Sequence, residues 1–194
     1  MKRILCLAVA LAGCATAAPT PTTSTTNVCD YFPLAVGNQW HYDGERRPDG
    51  TREPIDIAVT GMKDGYYQQS SGAAVACDVE GVRDPQRVLI QPPLQVGHKW
   101  KAVPSVTTVE EYEIVDVGST VNVPAGSFSN TITVRSKLTD RDRQGFLTAE
   151  FTYAPGVGLL RVATSHTKGT ETTPQIELVL RSFTVAPAKA NPSS

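Results

Sequence analysis

The sequence predicts an all-β domain of antiparallel strands, and three observations carry that prediction. Apolar and polar residues alternate with a period of two through most of the chain. Turn-forming pairs built on glycine and proline punctuate those alternating runs at short intervals. No stretch longer than about twelve residues reads as an amphipathic helix.

Taken in order, the runs define ten or so strands. Trp40-His41-Tyr42 opens the first. Glu53 to Ser71 places Ile55, Ile57 and Val59 against Asp56 and Ala58, then turns at Lys63-Asp64-Gly65 into Tyr66 and Tyr67, the pattern of a hairpin. A strand begins again at Trp100 to Val103, and TVEEYEIVDVGSTVNV, ending at Val123, interleaves Val109, Tyr112, Ile114 and Val117 with acids. Phe128 to Leu138, Gly145 to Tyr153, Leu159 to His166 and Gln175 to Val185 follow, separated by turns at Pro124-Ala125-Gly126, at the charged Asp140-Arg141-Asp142-Arg143, at Pro155-Gly156 and at Lys168-Gly169. Consecutive strands joined so tightly are mostly antiparallel neighbours.

The pattern P-L-x-V-G-x-x-W occurs twice, as PLAVGNQW ending at Trp40 and PLQVGHKW ending at Trp100. Both tryptophans of the chain finish a copy. The glycine permits a tight turn and the tryptophan delivers a large apolar ring at the start of a strand, so the repeat is expected to close the core. Paired tryptophans also hold sugars or peptides in some proteins, so Trp40 and Trp100, with Phe128 and Phe151, are candidate ligand or core aromatics. Outside the motif the two segments do not align, and a single domain is expected.

The ends of the chain carry different signals. Lys2 and Arg3 precede an apolar run from Ile4 to Ala12 that is half of what crosses a bilayer, as in the central region of an export signal. With LAGC ending at Cys14, this start resembles the bacterial lipoprotein signal peptide. The resemblance implies cleavage before Cys14, lipidation of its thiol, acylation of the new amino terminus and a membrane anchor through lipid. Residue Ala15, next after the cysteine, resembles the outer-membrane sorting pattern, which implies an anchor facing the periplasm. Multiple acyl chains hold firmly where one binds reversibly. The expected organisation is a signal peptide over 1–13, the lipidated cysteine with a Pro/Thr-rich tether over 14–28, one β domain over 29–185 and a polar tail over 186–194.

Processing leaves two cysteines, Cys29 and Cys77, which in an oxidising compartment are expected to pair. The formal charge is −1, and without Lys2 and Arg3 there are sixteen basic against nineteen acidic residues, or −3. No basic cluster supports a nucleic-acid partner.

A family resemblance rests on YFPLAVGNQWHY at Tyr31 to Tyr42, VNVPAGSFSNTITV at Val121 to Val134 and FTYAPGVGLLR at Phe151 to Arg161. These segments resemble a broad family of uncharacterised bacterial lipoproteins with YxPLxxGxxWxY, VPAGxF and YAPGVG motifs. It implies an extended antiparallel sheet curled into an open or half barrel. It carries no catalytic residues. The scattered histidines, His41, His98 and His166, form no metal motif, and no nucleophile or phosphate-binding motif is present. The expected protein is therefore no enzyme and needs no cofactor or metal. A structural or protein-interaction role at the envelope leads; the alternative is a carrier or sensor of a lipid or other apolar ligand. The two differ in whether the concave face is filled by Trp40, Trp100, Phe128 and Phe151 or left open.

Overall fold

A computed structural model describes residues 27–106, 108–140 and 144–186. The expected signal peptide, Cys14 and most of the expected tether and tail lie outside these residues.

A 3-10 turn, Val28–Tyr31, opens the domain, capped by the Asn27 side chain. Twelve strands follow: β1 (Gln39–Arg46), β2 (Thr51–Lys63), β3 (Tyr66–Gln69), β4 (Ala74–Asp78), β5 (Gly81–Arg83), β6 (Val88–Ile90), β7 (Lys99–Ser105), β8 (Thr108–Val123), β9 (Gly126–Asp140), β10 (Gly145–Ala154), β11 (Gly158–Lys168) and β12 (Glu171–Thr184). They form one sheet in the order β6-β5-β4-β3-β2-β1-β12-β11-β10-β9-β8-β7. Every pairing is antiparallel. The sheet curls until β6 faces β7, so it nearly closes into a barrel with one seam unsealed by a strand ladder. The all-β class and the open barrel expected from the sequence both hold.

Local chemistry explains the main turns. The Asp64-Gly65 pair takes positive φ at both positions, 52° and 81°, which a two-residue hairpin requires. Gly81 has φ 129° and a Cβ there would stand 2.1 Å from the Ile90 carbonyl oxygen, so only glycine lets β5 and β6 approach. Three short strands, β4, β5 and β6, carry no clear period of two and lie outside the predicted runs.

The two copies of the repeated motif have the same backbone geometry. Gly37 and Gly97 have φ of 96° and 88°. Asn38 N donates to Ala35 O and His98 N to Gln95 O, each 3.1 Å, closing equivalent turns. Gly37 N then reaches Val59 O, and Gly97 N reaches Ile114 O. Each turn thereby stitches the start of its strand to a neighbour and aims its tryptophan inward.

The core divides into two clusters, one around each tryptophan. Trp100 lies with Tyr31, Val82, Ile90, Tyr112, Ile114 and Tyr153. Trp40 lies with Tyr42, Val59, Val157, Leu160 and Leu180. The outer wall is charged instead: Lys99 pairs with Glu113 at 3.5 Å, Lys101 with Glu111 at 2.8 Å and Arg135 with Glu150 at 2.7 Å. Such a wall is costly against lipid tails, so these strands do not have the surface of a transmembrane barrel.

Cys29 and Cys77 are joined by a disulfide, with Cα atoms 5.7 Å apart. It fastens the 3-10 turn to β4. The sequence separation of 48 closes a long loop, worth about 4 kcal/mol in the chain-entropy model. Replacing both cysteines by serine is expected to lower the urea-unfolding free energy by that order; a loss under about 1 kcal/mol would show that the turn stays docked without its staple.

Candidate functional site

Trp40 and Trp100 are 4% and 8% exposed, so neither ring stands ready for a sugar or peptide. Each indole N–H donates to a main-chain carbonyl 2.7 Å away, Trp40 to Val157 and Trp100 to Val88. The first bond pins the β10–β11 corner and the second bridges the seam from β7 to β6. Phe128 is half-buried against the Trp40 cluster and Phe151 against the Trp100 cluster. The four candidate aromatics therefore separate into two pairs and fill the concave face where they stand.

A polar latch beside Trp100 completes the seam. Asp84 Oδ1 accepts the main-chain N–H groups of Gln86 and Arg87, ordering the β5–β6 turn. Its other oxygen takes the Arg87 guanidinium at 2.8 Å, and Arg87 reaches Glu110 of β8 at 3.3 Å. Glu110 in turn accepts the Tyr112 hydroxyl. Tyr112 stacks on Trp100 with ring centroids 5.3 Å apart, and His98 also stacks on Trp100, at 5.6 Å. This network was not legible in the sequence; the one hint was the acid-rich start of β8.

The outer half of the β8–β9 hairpin is the second feature that sequence reasoning missed. Beyond Gly118 and Asn130, with φ of 88° and 55°, the hairpin leaves the plane of the sheet. Its tip folds against β12, where Ala125 N donates to Leu180 O at 3.1 Å and Phe128 meets Phe183 at 6.0 Å. The Pro124-Ala125-Gly126 turn thus docks onto the Trp40 cluster. The Tyr31 hydroxyl donates to Asn130 O at the root of this arm, 2.9 Å away.

The histidines stay apart. His41 Nδ1 lies 2.6 Å from Asp56 Oδ1 on the outer wall, with both side chains well exposed at 43% and 72%. Ser182 is the strand partner of His41. This row is open to water and offers no buried base. No group of three or more metal-ligating side chains occurs among the described residues. Grooves of about 630 Å³ and 620 Å³ lie on the outer wall, the first lined by Lys99, Lys101, Arg135, Lys137 and Phe146, the second by Arg47, Arg161 and Glu177. Lys137 Nζ sits 4.0 Å from the Phe146 ring centroid in the first.

Ionisation follows burial and pairing. A side-chain hydrogen bond from Arg83 holds the Asp78 carboxyl below its ordinary range, and one from Lys101 does the same for Glu111. Burial pushes the Tyr42, Tyr153 and Tyr112 hydroxyls well above theirs, with Glu110 adding to the effect at Tyr112. None of these groups is poised for proton transfer near neutrality.

Fold and surfaces together define a disulfide-stapled, curled β-sheet with a packed interior and a charged wall. No protein-family model matches the chain, and no curated protein matches it. Two solved structures are similar to it. One is described as an inferred exported protein with a YmcC-like fold from Bacteroides fragilis, 14% identical, covering 79% of this chain and 98% of that one with a TM-score of 0.48. The other is described as an inferred lipoprotein from Parabacteroides distasonis, 14% identical with the same coverage and a TM-score of 0.42.

Two outcomes follow from the buried aromatics. Trp100→Phe keeps most of the packing but leaves the Val88 carbonyl without its donor, so unfolding experiments should show a loss of about 1–3 kcal/mol; an unchanged midpoint would mean the seam is held elsewhere. The raised tyrosines are neutral in the fold, so their contribution is complete below the ordinary tyrosine pKa of about 10 and falls as pH rises above it. Phenolate absorbance of the buried tyrosines should therefore appear together with loss of near-ultraviolet circular dichroism. Ionisation of these groups in a still-folded protein at about pH 10 would contradict their burial.

Proposed function

We propose that this protein is a non-catalytic lipoprotein of the bacterial envelope that works by binding a protein partner on its outer wall. One observation carries the reading: both tryptophan sites are occupied by the protein's own core, which leaves the outside to make contacts. Two open strand edges are guarded against pairing, the half of β2 that β3 does not reach by Arg52, Pro54 and Asp56 and the β7 edge by Lys99, Lys101 and Pro104. A partner is thus directed to the face of the sheet. Rows such as Lys99, Glu113, Arg135 and Glu150, aligned across four strands, give that face an alternating charge pattern that favours a complementary protein surface.

The anchor belongs to the same proposal. Lys2, Arg3, the apolar run and LAGC ending at Cys14 support lipidation at Cys14, and Ala15 supports an outer-membrane destination facing the periplasm. The tether would then let the domain sample partners within some tens of ångströms of the membrane.

The test is photo-crosslinking in cells. A photoreactive phenylalanine at Lys101 or Thr148, both on the outer wall, is expected to give a discrete protein adduct, and Cys14→Ser is expected to abolish palmitate incorporation and weaken the adduct. Absence of any adduct from these positions, with the protein folded and exported, would overturn the outer-wall reading.

A further inference from the structure

We propose that the open edge of β7 receives one added strand from a partner protein, an extended segment in which acidic residues alternate with apolar ones. This goes beyond the outer-wall reading and stands apart from it, because it uses the main-chain groups of an edge and not the side-chain face of the sheet. The repeated motif supplies the first observation. At each copy the turn bonds to one neighbouring strand in the same way: Val59 N donates to Asn38 O and Ile114 N to His98 O, each at 2.9 Å. β2 beside β1 is therefore the equivalent of β8 beside β7. On its other side β1 has β12, antiparallel, with Thr184 opposite Gln39 and Ser182 opposite His41. β7 has no ladder on that side, because it pairs with β8 and ends the sheet. The second copy thus lacks the strand that the first copy has.

The phase of the ladder decides which groups are left over. Hydrogen-bonded pairs alternate along an antiparallel ladder. With Ile114 bonded to Gly97 and His98, it is Trp100 and Ala102 that bond to β8, while Lys99, Lys101 and Val103 turn their main-chain groups to the edge. The first copy has the same phase, since Arg47 N, just past the end of β1, donates to Gln175 O of β12 at 2.8 Å. The Trp100 bond to Val88 is made by the inward ring and occupies none of these groups. A side chain marks the same vacancy. Asn38 Oδ1 accepts Ala186 N, just past β12, at 2.9 Å; at the equivalent position His98 Nε2 is shielded from water and has no hydrogen-bond partner among the described residues.

Charge defines the occupant. By register, two rows cross the outer wall to this edge: Glu150, Arg135, Glu113, Lys99 and Thr148, Lys137, Glu111, Lys101. Glu113 and Glu111 each stand between two cations, whereas Lys99 and Lys101 end their rows with an acid on one side and with side chains 68% and 66% exposed. The next strand continues the alternation with acids opposite both lysines. Toward the interior it stands beside Trp100 and Ala102 and takes apolar residues, as Phe183 and Leu180 stand beside Trp40 and Tyr42. Pro104 has no N–H, so the receiving edge runs from Lys99 to Val103. The lysines that guard this edge are selective in the same sense. A second β7 laid antiparallel would set lysines among lysines, and the chain's own segments 15–26 and 187–194 carry no acid.

The test uses the full chain in a neutral detergent and a fluorescein-labelled heptapeptide alternating glutamate and valine, followed by fluorescence anisotropy. Saturable binding is expected. The same peptide N-methylated at its glutamates keeps its charge but loses the N–H groups that meet β7, and should bind about ten-fold more weakly. Lys99→Glu combined with Lys101→Glu should weaken binding of the unmodified peptide by about ten-fold or more, while Lys137→Ala, on the wall away from the edge, should change it by less than about two-fold. Lack of saturable binding to the parent protein would overturn the proposal. Equal affinity for the N-methylated peptide would overturn it too, by assigning the binding to charge on the face of the wall; that comparison is made on the parent and holds whether or not the double variant folds. Unchanged affinity in a folded double variant would do the same, as would a dimer of the free protein that the peptide fails to dissociate, since the edge would then belong to a second copy.

Discussion

Two indole N–H groups fasten this sheet. A curled sheet of twelve strands with β6 and β7 at its edges has no ladder to join them, and the Trp100 bond to the Val88 carbonyl crosses that gap from inside. A buried carbonyl left unpaired costs about as much as a typical hydrogen bond contributes, so the bond both satisfies Val88 and sets the distance between the edges. Trp40 does the same for the β10–β11 corner through Val157. Each tryptophan then becomes the centre of a core cluster. The rest of the packing depends on these rings being delivered at fixed points, which is the work of the turns at Gly37 and Gly97.

Once the two clusters form, the remaining groups sort by face. Side chains that point inward on β8, such as Tyr112 and Ile114, meet Trp100 and the latch from Asp84 and Arg87, while their neighbours Glu111 and Glu113 pair outward with Lys101 and Lys99. The exposed pairs contribute little stability one by one. Their effect is on solubility and on the kind of surface the protein presents, because a continuous ladder of alternating charge opposes both lipid contact and edge-to-edge association. The structure thus places its apolar packing inside and its paired charges outside.

Much of this was legible from residues whose local chemistry decides their conformation. The D-G turn at Asp64, the alternating runs and the repeated turn before each tryptophan all specify geometry within a few positions, and they recover the long strands. The Cys29 and Cys77 pair was legible from counting alone. The short strands β4, β5 and β6 were not, because strands of three to five residues buried on a curved sheet show no period of two. The arm was hidden for a different reason. Its residues continue the alternation of β8 and β9 without interruption, and the bend comes from Gly118 and Asn130, a single glycine inside a strand pattern and a non-glycine residue in the left-handed region. The latch joins residues more than twenty positions apart, which no local pattern announces.

The arm's root connects two parts of the molecule that the sequence keeps far apart. Tyr31 donates to the Asn130 carbonyl, and Tyr31 stands two residues after Cys29, whose disulfide ties the 3-10 turn to β4. The point where the chain enters the domain is therefore in contact with the root of the hairpin's outer half. Displacing the arm about Asn130 must either carry that carbonyl away from the Tyr31 hydroxyl or move Tyr31 out of the Trp100 cluster, and the second is opposed by the disulfide. The hydroxyl bond is the weaker link, worth about 1 kcal/mol against several for withdrawing a buried aromatic ring. The entry segment is accordingly a fixed post beside the root of the hairpin's outer half.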